Sequence, residues 1–489
     1  MNTWLESLTP VAIWRHFRLL CDTPRPSYHE QALRQRLQDW AHELGLEAFV
    51  CSAGNLIIKK PATPGMEDRA TTVLQGHLDM VAQQEAQVQH DFLTDPIETY
   101  ERDGWVHARG TTLGADNGIG VAAILAVLEA DDLAHGPLEA LFTIEEETSL
   151  RGAAQLEPGL LQGKRLLNLD SEDRGDVYIG CAGGIDINAQ AEFLQQPIDT
   201  DHKALKISIE GLTGGHSGLD IHKGRANANV LLVRLLATMA QSITFGLCEL
   251  KGGTLRNAIA RDAYAVISFA AQEEAAVIGV LDHHRRLFQH EFKDTDPGLD
   301  ITVQDTSLVP SLPPLEQASL LNTLLSLPNG VLRMSPTLAD VTETSCNFGV
   351  VELVAEDQHL HFSVCLLARS LVDSQTHYMA QRVQAPLTML GCTVALENAY
   401  PGWQPEPEAG LLQQFKQVHK DVLGTAPNVK VIHAGLECGI IGAKYPGMEM
   451  VSFGPNIRGA HSPSERLEIA SVSDFWSLLV ALLAATPKA

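Results

Sequence analysis

Thr72-Val-Leu-Gln-Gly-His-Leu-Asp-Met80 is the stretch on which the fold turns. Thr72, Val73 and Leu74 are β-branched or apolar and predict a short buried strand running into Gly76. His77 and Asp79 follow, separated by one residue. In an extended backbone, residues i and i+2 project from one face, so the imidazole and the carboxylate share a space. A histidine placed there can bind a divalent cation while the carboxylate fixes its tautomer and raises its basicity. Taken alone, the pattern fits a strand-end histidine with an ordinary hydrogen-bond partner equally well. The balance is tipped by acidic and histidine residues further on, each at the end of a similar strand.

Gly110-Thr-Thr-Leu-Gly-Ala-Asp-Asn-Gly-Ile-Gly120 precedes an apolar helix, Val121–Leu128. It matches neither the phosphate-binding P-loop nor the dinucleotide pattern GxGxxG. Its glycines suit a tight bend that turns Asp116 toward a cation, or a plain turn in which Asp116 caps the helix. Pro137–Ile144 reads as a strand ending in Glu145-Glu146-Glu147, three carboxylates that repel one another and call for a counter-charge. Arg165–Leu169 is a strand ending in Asp170, and Met448–Phe453 is a strand followed by a loop carrying His461-Ser-Pro. In open α/β sheets ligands gather beyond the carboxyl ends of strands. Two histidines and several carboxylates without a thiolate suit zinc, cobalt or manganese in a hydrolytic site. Five candidate ligands exceed one zinc's needs, so two metals sharing a carboxylate are expected.

The chain has 489 residues, more than one core holds, so two or more domains are expected. Asp and Glu outnumber Lys and Arg 60 to 35, a net charge of −25 that argues against nucleic acid or an anionic membrane as partner. The eight cysteines form no CxxC and lie mostly in apolar surroundings, which predicts reduced buried thiols. No basic segment followed by a long apolar core opens the chain, and its apolar runs fall short of the ~20 residues that span a bilayer. A cytosolic protein is the expectation.

Thr9-Pro10 is read as the cap of a first helix, and Ser27-x-x-Glu30 as a capping box opening a second that closes at Gly45. From about 190 to 396 the pattern becomes α+β without acidic strand ends. Residues 190–396 are therefore expected to be a domain inserted into a discontinuous sheet domain, 1–189 and 397–489, since His461 must return to the site begun by His77.

GHLDM, GADNG, the Glu146-Glu147 pair, LDSE, GGHSG and HSP together resemble the di-zinc exopeptidases of the aminoacylase and carboxypeptidase clan. ARGTTLGADNG, GCAGGID, GGTLRNAI, AYPGWQP and IHAGLECG narrow the resemblance to the aminoacyl-histidine (Xaa-His) dipeptidases, over almost the whole chain. The fold this implies is α/β: a di-metal exopeptidase sheet domain with helices on both faces, interrupted by an inserted α+β lid domain through which two copies pair as a homodimer. The implied activity is metal-dependent hydrolysis of Xaa-His dipeptides such as β-Ala-His and Gly-His, by a metal-bridged hydroxide with a glutamate general base. Rival readings are an N-acyl-amino-acid hydrolase or tripeptidase on the same site, or a metal-bound binding protein without chemistry.

The resemblance also implies roles. Asp116 bridges two divalent ions, most simply zinc, with cobalt or manganese as substitutes. His77 and Asp170 complete one shell, Glu147 and His461 the other. Asp79 orients His77 and Glu146 is the base; for Glu145 the resemblance implies no role, and it is read as a solvated neighbour. His216, in Gly214-Gly-His-Ser-Gly218, steadies the oxyanion in a partner subunit's site, with Asn257 near the same oxyanion. Arg369 grips the substrate's C-terminal carboxylate. By their residue types alone, His216 is equally a turn residue, Asn257 a loop cap and Arg369 a strand-edge surface charge. His433 and Glu437 carry no assigned role. Thr148-Ser149 stand where relatives often have a small residue and glycine, a change that removes no ligand.

Overall fold

A computed structural model describes residues 2–199 and 201–489. Two compact units emerge, Met1–Cys181 with Trp403–Val431 and Leu436–Ala489, and Ala182–Gly402 with Ile432–Gly435. The chain leaves the first unit earlier and returns later than 189/190 and 396/397. The strand Gly183–Leu194 pairs with Thr393–Tyr400, and both belong to the second unit's sheet. Ile432–Gly435, expected with the sheet domain, also belongs to the second unit, which separates His433 from Glu437.

The first unit is built on eight strands in the order Glu47–Val50, Leu56–Lys60, Leu138–Thr143, Thr72–His77, Arg165–Asn168, Glu449–Ser452, Asp176–Cys181, Asn428–Ile432. Leu138–Thr143, Thr72–His77, Arg165–Asn168 and Glu449–Ser452 run parallel to one another. Thr72–His77 and Leu138–Thr143 are buried at every residue, the mark of strands covered on both faces. Parallel pairing puts the carboxyl ends of these strands at one edge, with His77 opposite Thr143 and Gln75 opposite Asn168. The helix Ala115–Glu129, buried from Asn117 through Leu128, packs on Thr72–His77. Gly76 leaves room for it, since a Cβ there would meet Asn117 Oδ1 at 2.4 Å. A second sheet of four strands places Ile457–Arg458 beside Arg466–Glu468, so residues 459–465 form the connection between them.

The second unit is an antiparallel sheet whose longest strands, Thr342–Glu356 and His359–Ser370, pair along most of their length. A register shift between Phe348 and Val350 interrupts the alternation, so only the part near Val350–Val354 reads as strand from sequence.

Two capping expectations fail. The first helix, Val11–Cys21, has Pro10 at its N-cap and no side-chain cap bond. The second begins at Gln31, and Ser27 is not its cap: the Ser27 hydroxyl donates to Asp79 Oδ2 at 2.7 Å. A buried carboxylate outcompetes a local helix end for that hydroxyl. Seven of the eight cysteines are buried.

Candidate metal centre

The carboxyl edge of the parallel strands carries the predicted ligands. His77 Nε2 lies 3.1 Å from Asp116 Oδ1 and 3.4 Å from Asp170 Oδ1. His461 Nε2 lies 3.3 Å from Asp116 Oδ2 and 3.0 Å from Glu147 Oε2. The two oxygens of Asp116 thus face different groups: His77 with Asp170, and His461 with Glu147. Each trio has its ligand atoms within 4.8 Å of one another. Glu146 Oε2 stands 4.0 Å from His77 Nε2, outside both trios, and a third grouping joins His77 to Glu146 and Glu147.

This donor set fits two divalent cations. Four carboxylates surround two imidazoles, and buried Glu147 Oε1 has no hydrogen-bond partner. The histidines lie among these carboxylates, which draw both imidazole pKa values upward. Hydrogen bonds accepted by the carboxylates of Asp116 and Glu147 raise His461 to about 11. For His77, burial lowers the pKa, but Asp170, Asp116 and Asp79 outweigh it and hold it well above the ordinary value. Burial, with the carboxylates of Asp170 and Glu147, pushes Glu146 well above the usual carboxyl range, His77 opposing. A cation among these groups lowers a carboxyl's pKa again.

Asp79 does more than face His77 Nδ1, 3.4 Å away. Its Oδ1 accepts the N–H of Glu146 at 3.0 Å and its Oδ2 that of Glu147 at 3.2 Å, beside the Ser27 hydroxyl. One carboxylate therefore holds His77, Glu146 and Glu147 in register. Burial raises its pKa, but these donors and His77 keep it below the usual range. Glu145 corrects the expectation of a solvated neighbour. It is buried, with its carboxylate paired to Arg151 at 2.7 Å and its N–H given to Glu30. Thr148 and Ser149 are exposed, in the short turn Glu146–Ser149.

Sequence reasoning missed the supports. Arg25, 1% exposed, donates to the carbonyls of Leu78, Asp79 and Gly114, tying the His77 and Asp116 loops together. Glu437 accepts from Thr143 Oγ1 and Gln75 Nε2, both at 2.6 Å, and burial pushes it up to about 7. Gln75 continues to Asn168 and Asn168 to Ser452, so a buried polar chain crosses three strands beneath the ligands. Glu465 caps the loop before Asp116. A strand glutamine at position 75 between apolar neighbours was the one local signal for any of these.

The remaining predicted residues lie in the second unit. His216 Nδ1 accepts the N–H groups of Gly218 and Leu219 at 3.1 and 3.0 Å. A ring nitrogen that accepts carries no proton, so neutral His216 is a donor through Nε2. Burial and the Arg369 charge lower its pKa, favouring that neutral form. Asn257 is exposed and its carbonyl accepts the Ser217 N–H. Arg369 is no surface charge: it is 5% exposed, donates to the Tyr400 hydroxyl at 2.5 Å, and leaves Nε unpartnered. His433 bonds Ser345 through Nε2 and leaves Nδ1 unpartnered.

Residues 73–485 match the profile of peptidase family M20/M25/M40. The chain belongs to this family of peptidases. Over 484 residues, 99% of both chains, it is 40% identical to the cytosol non-specific dipeptidase of Escherichia coli (strain K12). The crystal structure of an aminoacylhistidine dipeptidase from Vibrio alginolyticus superimposes with a TM-score of 0.93 at 41% identity, covering 99% of this chain and 98% of that one. The aminopeptidase PepT of Bacillus cereus shares the fold, with a TM-score of 0.60 at 16% identity, over 98% of each chain. Among the described residues no helix is long and apolar enough to cross a membrane.

Proposed function

We propose that this peptidase hydrolyses dipeptides, with Xaa-His dipeptides such as β-Ala-His and Gly-His preferred, at a centre of two divalent cations. The observation that carries the reading is Asp116, whose two oxygens each complete a separate trio of ligands. His77, Asp116 and Asp170 would hold one cation, and Asp116, Glu147 and His461 the other. Zinc fits these nitrogen and oxygen donors, with cobalt or manganese able to replace it. When bound, the cations supply Lewis acidity that polarises the scissile carbonyl and lowers the pKa of water from 15.7 toward ~7.

Glu146 takes the proton of the attacking water and returns it to the leaving amine, a task for a carboxylate whose pKa lies near operating pH. Asp79 keeps that carboxylate and His77 at fixed separation through its hold on the Glu146 and Glu147 amides. The Arg369 guanidinium offers a fork to the substrate's C-terminal carboxylate. His216, a donor through Nε2, would steady the oxyanion in the site of a second copy, with Asn257 beside it, in a homodimer. A cytosolic location is consistent with the name of the Escherichia coli relative.

A substrate panel tests the reading: β-Ala-His, Gly-His, a dipeptide without histidine, a tripeptide and an N-acetyl amino acid, before and after chelation. Xaa-His dipeptides are expected to be cleaved fastest, activity to vanish on chelation, and zinc, cobalt or manganese to restore it. Equal rates across the dipeptides would make the enzyme non-specific. A preference for the tripeptide or the N-acetyl substrate would move it to a neighbouring activity of the family. Full activity in verified metal-free protein would end the two-cation reading.

A further inference from the structure

Glu465 has no place among the ligands, yet it is 2% exposed and its carboxylate is fully used. Oε2 accepts the N–H groups of Leu113 and Gly114 at 2.7 and 2.8 Å, and Oε1 those of Ala115 and Asp116 at 2.8 and 3.1 Å. Four successive amides converge because Gly114, at φ 69°, turns the chain left-handed just as the helix Ala115–Glu129 begins. Successive N–H groups converging in such a turn carry partial positive charge, so a buried carboxylate is well matched to them although Asp116 and Asn117 depart from helical geometry. On the opposite side the Gly114 carbonyl is held by Arg25. The backbone leading to Asp116 is therefore held by both Glu465 and Arg25.

His461 stands four residues before Glu465 on the same connection, which is tightened by the Ser462 hydroxyl donating to the Gly459 carbonyl at 2.7 Å and by the Glu465 N–H donating to the Ser462 carbonyl at 3.0 Å. One short loop thus presents a ligand of one cation and grips the backbone of the ligand shared by both. We infer that Glu465 is the positioning residue for Asp116, and that both cation positions therefore depend on this one carboxylate of the 459–465 loop. The inference rests on the two-cation reading above.

Metal-free protein titrated with zinc against a chromophoric chelator tests it, with wild type, Glu465→Gln, Glu465→Asp and His461→Ala side by side. Replacing a partner that orients a ligand typically weakens metal binding by about 10–100-fold. Glu465→Gln, which puts an NH₂ where two amides need an acceptor, is expected to weaken both positions by that factor. His461→Ala is expected to weaken one only. Glu465→Asp, which keeps the charge on a shorter arm, should fall between wild type and Glu465→Gln. Cobalt-loaded Glu465→Gln should show a changed visible spectrum, and its kcat should fall with KM little altered, neither of which a loss of stability alone would produce. Folded Glu465→Gln that takes up two zinc ions with wild-type affinity and spectrum overturns the inference. If that variant does not fold, Glu465→Asp decides: wild-type affinity at both positions overturns it, and weakening at both supports it. A wild type that fails to take up two zinc ions counts against the two-cation reading instead, leaving the two failures distinct.

Discussion

Two histidines, one exposed and one buried, set the two units apart. His461, beside the carboxylates of Asp116 and Glu147, is raised to about 11. His433 is driven down to about 3 by burial and then by the charge of Arg369. The same side chain thus sits among carboxylates in one unit and is held neutral beside a guanidinium in the other. The first environment has an excess of carboxylate and suits cations. The second has an excess of positive charge and suits the anionic end of a substrate or a developing oxyanion. A peptidase needs both kinds of surface, one to activate water and one to hold and neutralise what the water attacks.

The largest expected effect tests the acidic region. Glu146→Gln is nearly isosteric but cannot take the proton, so turnover should fall about 10²–10⁴-fold with metal content retained. Glu147→Gln should lower metal content first. Zinc analysis beside kcat separates the two, and the opposite pattern would exchange their roles. Next comes the cationic region. Arg369→Met keeps bulk and loses the charged fork, so KM for dipeptides should rise about 10–100-fold, the size of a lost hydrogen bond to a charged group. An unchanged KM would remove Arg369 from substrate binding.

A smaller signal addresses which copy each region serves. In the homodimer proposed above, co-expressed Glu146→Ala and His216→Ala chains would give mixed dimers in which one site has both defects and the other neither. With random pairing about half the dimers are mixed, so roughly a quarter of all sites regain full competence. Activity no higher than the mean of the two separate variants would show that His216 acts within its own chain or not at all.

The smallest effect is on stability. The His433 pKa is about 3 folded against 6.5 for the free side chain, so the unfolded chain takes up the proton first. Its contribution is complete above pH 6.5 and drains away as pH falls toward 3. Denaturation midpoints of wild type should therefore drop between pH 7 and pH 5 more steeply than those of His433→Gln. Parallel curves would mean that His433 is not held neutral.

What the chain disclosed beforehand follows how local each signal is. His77, Asp170 and the Glu146-Glu147 pair were legible because each follows a buried strand, and polar residues there stand out against apolar runs. Ser27-x-x-Glu30 misled because a capping box and a hydroxyl donor to a distant carboxylate share one local pattern; only the fold brings Asp79 within reach. The Glu145 charge is settled by Arg151, six residues on, which periodicity does not reveal. Glu465 was invisible for the same reason in extreme form, its four partners lying 349 to 352 positions away. In the second unit the strand Thr342–Glu356 was only partly recognised, because buried Thr342, Glu343, Thr344 and Ser345 read as polar loop until the neighbouring strands cover them.

The hold of Asp79 on His77, on two adjacent amides and on the Ser27 hydroxyl also shapes how this enzyme can change over generations. A substitution at position 79 is felt at once by a ligand and by the base, so in a library of random variants it should be tolerated as poorly as the loss of either. Rescue would then have to come from second changes that rebuild the whole turn together, and lineages that lose Asp79 should be rare among the survivors of a selection for dipeptide growth.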